Sequence, residues 1–437
     1  MMGPLLMTET HNSPLRIEHD CFGTDVPFYA LRYNKKGTCI SPEARQKIIQ
    51  NVKDDKFTDI IFYSHGWNND WDAAQYLYST FLRGISDMAV RHGGGLPANF
   101  KPLFVGAIWP SAALTWPGEK PPHIAALGRA PEFEALLMDI ETEDRARIED
   151  ILGSGETVNE SIALELAALI APIIKPEDDP VDGVAQELSA EQLLQLWKLD
   201  EVMDDPNVSG GGFDDGGLDV TDGELTSDTI TAAGLLDKLR PRNLLRLATV
   251  YKMKDRAGVV GANGVKNTLE MFLGMTSARL HLVGHSYGCK VMLTASALAH
   301  VPRKIRSEML YQPAISKFAC DPQIGGLRAA LGNVETPICC TYSKNDVPLH
   351  KIFHRMLRRK DDVGELQFAS GSKYEAMGGY GPVAARVKNF PIPSAGTPYP
   401  YIRAETQMLA LNGAVGIDGH SDVNNPFTYW AMLNQLR

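Results

Sequence analysis

No run of about 18 uninterrupted apolar residues, the length that a membrane-spanning helix needs, occurs anywhere in the 437-residue chain. The first twenty residues hold only a short apolar patch, Pro4 to Met7, with neither the basic flank nor the longer apolar stretch of a secretory signal. Both absences lead us to expect an intracellular, cytoplasmic protein with no transmembrane segment. Cysteine is scarce as well. Cys21, Cys39, Cys289, Cys320, Cys339 and Cys340 form no CxxC pair and no spacing that would gather four zinc ligands. Free buried thiols in a reducing compartment are the expectation, with no metal site.

Basic residues are almost missing from one long segment. Residues 111–240 carry 29 acidic and 8 basic side chains, whereas the rest of the chain carries 24 acidic and 35 basic ones. The net charge of −10 therefore hides an acidic module beside a mildly basic remainder. Opposite fields attract, so the module either faces water or docks on the remainder, and an external partner for it would be basic. The charge argues against nucleic-acid binding by this segment.

At this length one catalytic core plus an appendage is expected, because single cores stop growing at roughly 250 to 300 residues. Pro27 to Asn34 reads as a strand, and Ser41 to Val52 as a helix with Ser41 as N-cap and Pro42 at the first position. Thr58 to Ser64 and Leu103 to Trp109 are near-continuous apolar runs of the kind buried on both faces of a parallel sheet. The helix Asp72 to Val90 lies between them. This alternation then stops, and helical patterns at Pro131 to Leu152, Ser161 to Ile174 and Ala190 to Met203 follow. A Gly- and Asp-rich stretch at about 204–228 comes next, where Val220 breaks the residue order of a calcium-binding loop.

Past the insert, Asn243 to Leu273 is largely helical and Ala278 to Val283 is a short strand. Lys290 to His300 continues as a helix, further strands are expected at Glu308 to Tyr311, Pro337 to Tyr342 and Met408 to Leu411, and the chain closes with the helix Pro426 to Leu436. The expected architecture is α/β, a doubly wound and mostly parallel sheet. Residues 20–118 and 241–437 form its core, and 119–240 a large, mainly helical acidic cap.

Between the strand at 278–283 and the helix after it stands Gly284-His285-Ser286-Tyr287-Gly288. The pentapeptide alone is weak, since a chain this rich in glycine shows one by chance roughly one time in five. Its setting is what counts. A nucleophilic serine must be presented on a tight strand-to-helix turn, and its partners must follow in order. Asp346, directly after the strand ending at Tyr342, suits the acid that orients a histidine, with Asp321 as the competitor. His420, after the last strand, suits the base. His350 and His354 lie too close to Asp346 in sequence.

Acyl transfer places negative charge on a carbonyl oxygen, and two backbone N–H groups must receive it. Tyr287, next after the serine, supplies one candidate. Trp67, in the turn His65-Gly66-Trp67 after an early strand, supplies the other. Gly66 permits close approach, His65 suits a brace, and Trp71 and His285 are further candidates for the substrate pocket.

The order HGWNND, AIWPSA, GHSYG, SKND and GHSDV resembles the alpha/beta-hydrolase superfamily, and within it bacterial serine esterases, over roughly residues 55–115 and 245–435. The resemblance implies the α/β-hydrolase fold, with Ser286 as nucleophile, Asp346 as acid, His420 as base, and Trp67 and Tyr287 as the oxyanion hole. No cofactor and no metal is implied. The acidic insert has no counterpart in it.

The expected activity is cleavage of a small-molecule or lipid ester through an acyl-enzyme, in the manner of an esterase or lipase. The same machinery serves an amidase, a thioesterase or a phospholipase. A non-catalytic interaction protein with an acidic docking module is the alternative from another class. Gly258, Gly261 and Gly264 point to close helix packing rather than a dinucleotide site. The cations of Lys351 to Lys360 point to a solvated or cap-docking face rather than a site for an anionic substrate.

Overall fold

A computed structural model describes residues 14–54, 56–67, 69–93, 95–111, 140, 142–155, 157–174, 188–204, 239–346, 348–352, 375–399 and 406–437. The Gly- and Asp-rich stretch, residues 131–139, His354 and most of the basic run after Lys351 lie outside the described residues.

Among the described residues nine strands form one sheet: β1 (Arg16–Cys21), β2 (Thr24–Arg32), β3 (Asp59–Ser64), β4 (Pro102–Ile108), β5 (Arg279–His285), β6 (Ser307–Tyr311), β7 (Ile338–Tyr342), β8 (Val387–Pro391) and β9 (Met408–Asn412). Their spatial order is β1-β2-β4-β3-β5-β6-β7-β9-β8. Only the pairing of β1 with β2 is antiparallel, and every other neighbour is parallel.

The longer helices among the described residues, in chain order, are α1 (Pro42–Lys53), α2 (Trp71–Arg91), α3 (Thr142–Gly153), α4 (Glu160–Ile170), α5 (Ala190–Asp204), α6 (Pro241–Val260), α7 (Lys266–Met275), α8 (Tyr287–Leu298) and α9 (Pro426–Gln435). Alternation along the inner strands divides their side chains between two cores. Ile60, Phe62, Leu103, Val105, Leu280 and Leu282 join one cluster with α1, α6, α7 and α8. Ile61, Tyr63, Phe104 and Val283 join the other with α2 and α9. Both faces of the inner strands are thus buried, which is why their sequences read as unbroken apolar runs.

The insert's described helices do not form a separate core. Ile148 and Ile151 of α3, Leu166 and Ile170 of α4, and Leu193 and Trp197 of α5 belong to the same cluster as the α6–α8 face. The apolar stripe of α4 is consumed by this packing. At the junction, the buried Glu201 carboxylate accepts hydrogen bonds from Trp197 Nε1, Arg240 N and Nε, and Asn243 Nδ2 at 2.8–3.1 Å.

Several boundaries differ from the sequence reading. Ser41 stands at the N-cap of α1 but makes no side-chain cap; its hydroxyl instead accepts from Arg32 N at 2.9 Å, tying the helix start to β2. The N-cap of α2 is Asp70, accepting from Ala73 N. Helix α8 begins at Tyr287, three residues before Lys290, because the turn at the serine leads into it without a linker. A five-residue π segment, Gly261–Val265, joins α6 to α7. A Cβ on Gly261 would lie 2.6 Å from Val291 O, and one on Gly264 would lie 2.2 Å from Gly37 O, so the glycines there serve close packing.

Candidate active site

In a parallel sheet all carboxyl ends open on one edge, and ligand sites form where consecutive connections leave in opposite directions. Here that point lies between β3 and β5: the chain moves from β3 to β4 on one side and later returns as β5 on the other. His65-Gly66-Trp67 leaves β3 and His285-Ser286-Tyr287 leaves β5 at this crevice.

Ser286 occupies the turn between β5 and α8. Its φ of 56° and ψ of −124° lie in a region that non-glycine residues avoid. The turn is held from outside. Ser286 N donates to Tyr311 O at 3.1 Å, while Ser286 O accepts from Cys289 N at 3.0 Å and Ala314 N at 3.3 Å. The strain also demands small neighbours. A Cβ on Gly288 would sit 2.1 Å from Ser64 O, and one on Gly66 would sit 2.7 Å from the Ser286 Cβ. The β3 turn therefore runs directly against the serine.

Three separate loops bring the sequence-predicted triad residues together. His420 Nε2 lies 2.8 Å from Ser286 Oγ, and His420 Nδ1 lies 2.8 Å from Asp346 Oδ2. A carboxylate only accepts, so Nδ1 carries the proton and Nε2 faces the serine hydroxyl as an acceptor. Asp346 is fully buried, and its second oxygen accepts from Leu349 N at 3.1 Å. Asn345 Nδ2 donates to Ala414 O and Ile417 O, and Ser343 Oγ donates to Ile417 O. The acid loop is thereby fastened to the strand end that carries the base loop. Asp321, by contrast, accepts from Gln323 N and Ile324 N in its own turn. His350 stacks on Tyr380 with ring centroids 4.4 Å apart.

The turn after β3 is held by several contacts. The His65 ring lies stacked 5.5 Å from the Trp109 ring at 3°. Trp109 N donates to His65 Nε2 at 3.3 Å, which leaves the proton on Nδ1 to donate to Gly66 O at 2.9 Å. His65 N donates to the Tyr78 hydroxyl, which donates in turn to Ala107 O. Burial lowers the His65 pKa to about 4, against a weaker upward pull from Gly66 O, so the ring is neutral near pH 7. Trp67 is half-buried and its indole Nε1 has no hydrogen-bond partner. Tyr287 is buried at the first position of α8, the positive end of that helix. Trp71 stands at the first turn of α2, half-buried against the second cluster.

His285 is a second neutral histidine. Burial, then the neighbouring His420, lower its pKa to about 3. Its Nε2 donates to His420 O at 2.9 Å, while Nδ1 is buried without a partner. Sequence reasoning missed Gln312, whose side-chain amide donates to Gly419 O at 2.6 Å and His420 O at 2.9 Å. Its position directly after β6, on the same edge as the other loops, was the only available signal. Among the described residues no cluster of His, Cys, Asp or Glu could hold a metal ion. No helix among them is long and apolar enough to cross a membrane, and all six cysteines are unbridged.

Comparison with protein-family models, curated proteins and solved structures gives no match to this chain.

Proposed function

We propose that the protein is a serine hydrolase of the α/β-hydrolase fold that cleaves carboxylic esters through an acyl-enzyme. One observation carries this reading: a hydroxyl, an imidazole and a buried carboxylate are aligned by two 2.8 Å contacts, with the hydroxyl on a strained strand-to-helix turn. Such strain persists only where the surroundings over-determine it, and it clusters at sites of chemistry.

In this mechanism His420 Nε2 takes the Ser286 proton as Oγ attacks the ester carbonyl carbon. Asp346 keeps the Nδ1 proton in place and stabilises the imidazolium that forms. The carbonyl oxygen becomes an oxyanion and receives the backbone N–H groups of Tyr287 and Trp67. Each such donor contributes on the order of a hundredfold to a thousandfold in rate. Collapse of the intermediate returns the proton from His420 to the departing alcohol. Water, deprotonated by His420, then attacks the acyl-enzyme and releases the acid.

The neutral state of His65 and His285 supports the same reading. A cation beside the imidazolium of His420 would oppose the charge that develops there, and the His285 ring, 5.2 Å from His420, is held uncharged by burial, as is His65 in the neighbouring turn.

A panel of p-nitrophenyl esters of increasing chain length, set beside an anilide, a thioester and a phospholipid, tests the reaction class. Ester turnover that disappears in Ser286→Ala is expected. Turnover of the anilide or the thioester alone would move the assignment to another bond, and turnover that survives Ser286→Ala would end it.

A further inference from the structure

Gln312 is expensive to keep. It directly follows β6 with φ of 41°, one of four non-glycine residues with positive φ among those described. It is fully buried, and its Oε1 has no hydrogen-bond partner. Left-handed backbone at a residue with a long side chain and an unsatisfied buried oxygen both oppose folding. A glycine or asparagine would relieve the first, and an apolar residue the second.

What the residue gains is confined to one place. The two partners of its Nε2 are the carbonyls of Gly419 and His420. Both partners are acceptors, so the amide must face them with nitrogen, and that orientation is what strands Oε1. The His420 carbonyl also accepts from His285 Nε2 at 2.9 Å, so two donors converge on a single backbone oxygen. One donor comes from the residue before Ser286. The other comes from the loop after β6, where Ala314 N donates to Ser286 O, while Tyr311 O at the end of β6 accepts from Ser286 N. Gln312 N itself donates to Thr341 Oγ1 of β7 at 3.0 Å.

The nucleophile turn and the backbone of the base are therefore tied to one bracket. This matters because Gly419 and His420 are only half-buried and Ser421 is exposed, so solvent would otherwise compete for the same carbonyls.

We propose that Gln312 is a positioning residue for the base: with His285 it clamps the His420 carbonyl, fixing the imidazole between Ser286 and Asp346. The proposal rests on the hydrolase reading above. It assigns no chemical step to Gln312, which donates to backbone and not to a reacting atom.

Gln312→Asn separates positioning from stability. Asparagine tolerates positive φ better than glutamine yet is one methylene shorter, so the fold is held or gains while the amide falls short of the loop. The readouts are the second-order rate of covalent labelling at Ser286 by a fluorophosphonate and the thermal midpoint. The expected result is labelling slowed on the order of a hundredfold with the midpoint retained or raised. The low-field proton resonance of the His420–Asp346 hydrogen bond is expected to broaden. Gln312→Met, which keeps the side-chain length without the donor, is expected to slow labelling similarly and serves if Gln312→Asn does not fold.

Folded Gln312→Asn or Gln312→Met labelling at the wild-type rate, with the low-field resonance unchanged, overturns the clamp and leaves the hydrolase reading standing. Wild-type protein that resists the probe, or is labelled elsewhere than Ser286, overturns that reading first.

Discussion

Replacing Glu308 by glutamine is expected to stabilise the protein by an amount that grows with pH. Glu308 lies on β6 with no exposure, on the face it shares with Leu310 and beneath α8, and neither carboxyl oxygen has a hydrogen-bond partner. Burial pushes its pKa from an ordinary 4.5 to about 8, and the nearby Ser296 hydroxyl offsets only a little of this. The unfolded chain ionises near 4.5 while the folded protein holds the proton until about pH 8. The unfolded state thus binds fewer protons across that window, so stability is full below it and falls as pH rises through it. At ~1.36 kcal/mol per unit, the loss is about 3 kcal/mol at pH 7 and about 5 kcal/mol above pH 8. Glutamine has nearly the same shape and the same unmet polar atoms but does not ionise. The two proteins should therefore match near pH 5 and diverge steadily up to pH 8. Urea unfolding of both at pH 5, 7 and 8.5 reads the difference directly. A difference in stability that stays constant from pH 5 to 8.5 would show instead that Glu308 is ionised in the fold throughout.

Four further outcomes follow from the geometry. Asp346→Asn should lower kcat by about 10⁴-fold, since an amide facing His420 Nδ1 favours the wrong tautomer, with KM and the thermal midpoint nearly unchanged in steady-state and melting assays. Gly66→Ala should cost activity on the order of a hundredfold, because its Cβ would meet Ser286 Cβ at 2.7 Å; urea unfolding should show a smaller effect than for Gly288→Ala, whose Cβ would press on backbone at 2.1 Å. Asp59→Leu should destabilise by about 3–5 kcal/mol in urea at pH 7, since buried Asp59 bonds buried His281 at 3.0 Å and Arg279 at 2.7 Å. Burial opposes ionisation of Asp59, but those partners outweigh it and lower its pKa, so its contribution is present above the unfolded value of 3.8 and lost on acidification below it.

The inner sheet was legible because both its faces are covered: TDIIFYS, LFVGAIW and the stretch before Gly284 are apolar whichever face a residue meets. The two edge strands were not. β1, RIEHDC, turns Glu18 inward to meet Arg16, Ser79 and Arg83, so its pattern is charged where an apolar residue was sought. β8, VKNFP, is largely half-exposed and ends in proline, as edge strands do. The triad candidates could be found because nucleophile, acid and base each follow a strand in a set order. Gln312 carries no such mark. Its role depends on a backbone carbonyl more than a hundred residues away, and no local pattern encodes that contact. The charge contrast marks residues 111–240 in composition, yet it did not reveal that the described insert helices share the main core, because Trp197 and Leu166 look the same in sequence whichever core they enter.

The proposed hydrolase stands on Ser286 as a nucleophile activated by His420. Intact mass and peptide mapping after exposure to a fluorophosphonate test it most directly. A single adduct is expected, on Ser286, absent in Ser286→Ala and formed far more slowly in His420→Ala. Equal labelling of the wild-type protein and Ser286→Ala, or an adduct that forms as fast without His420, would contradict it.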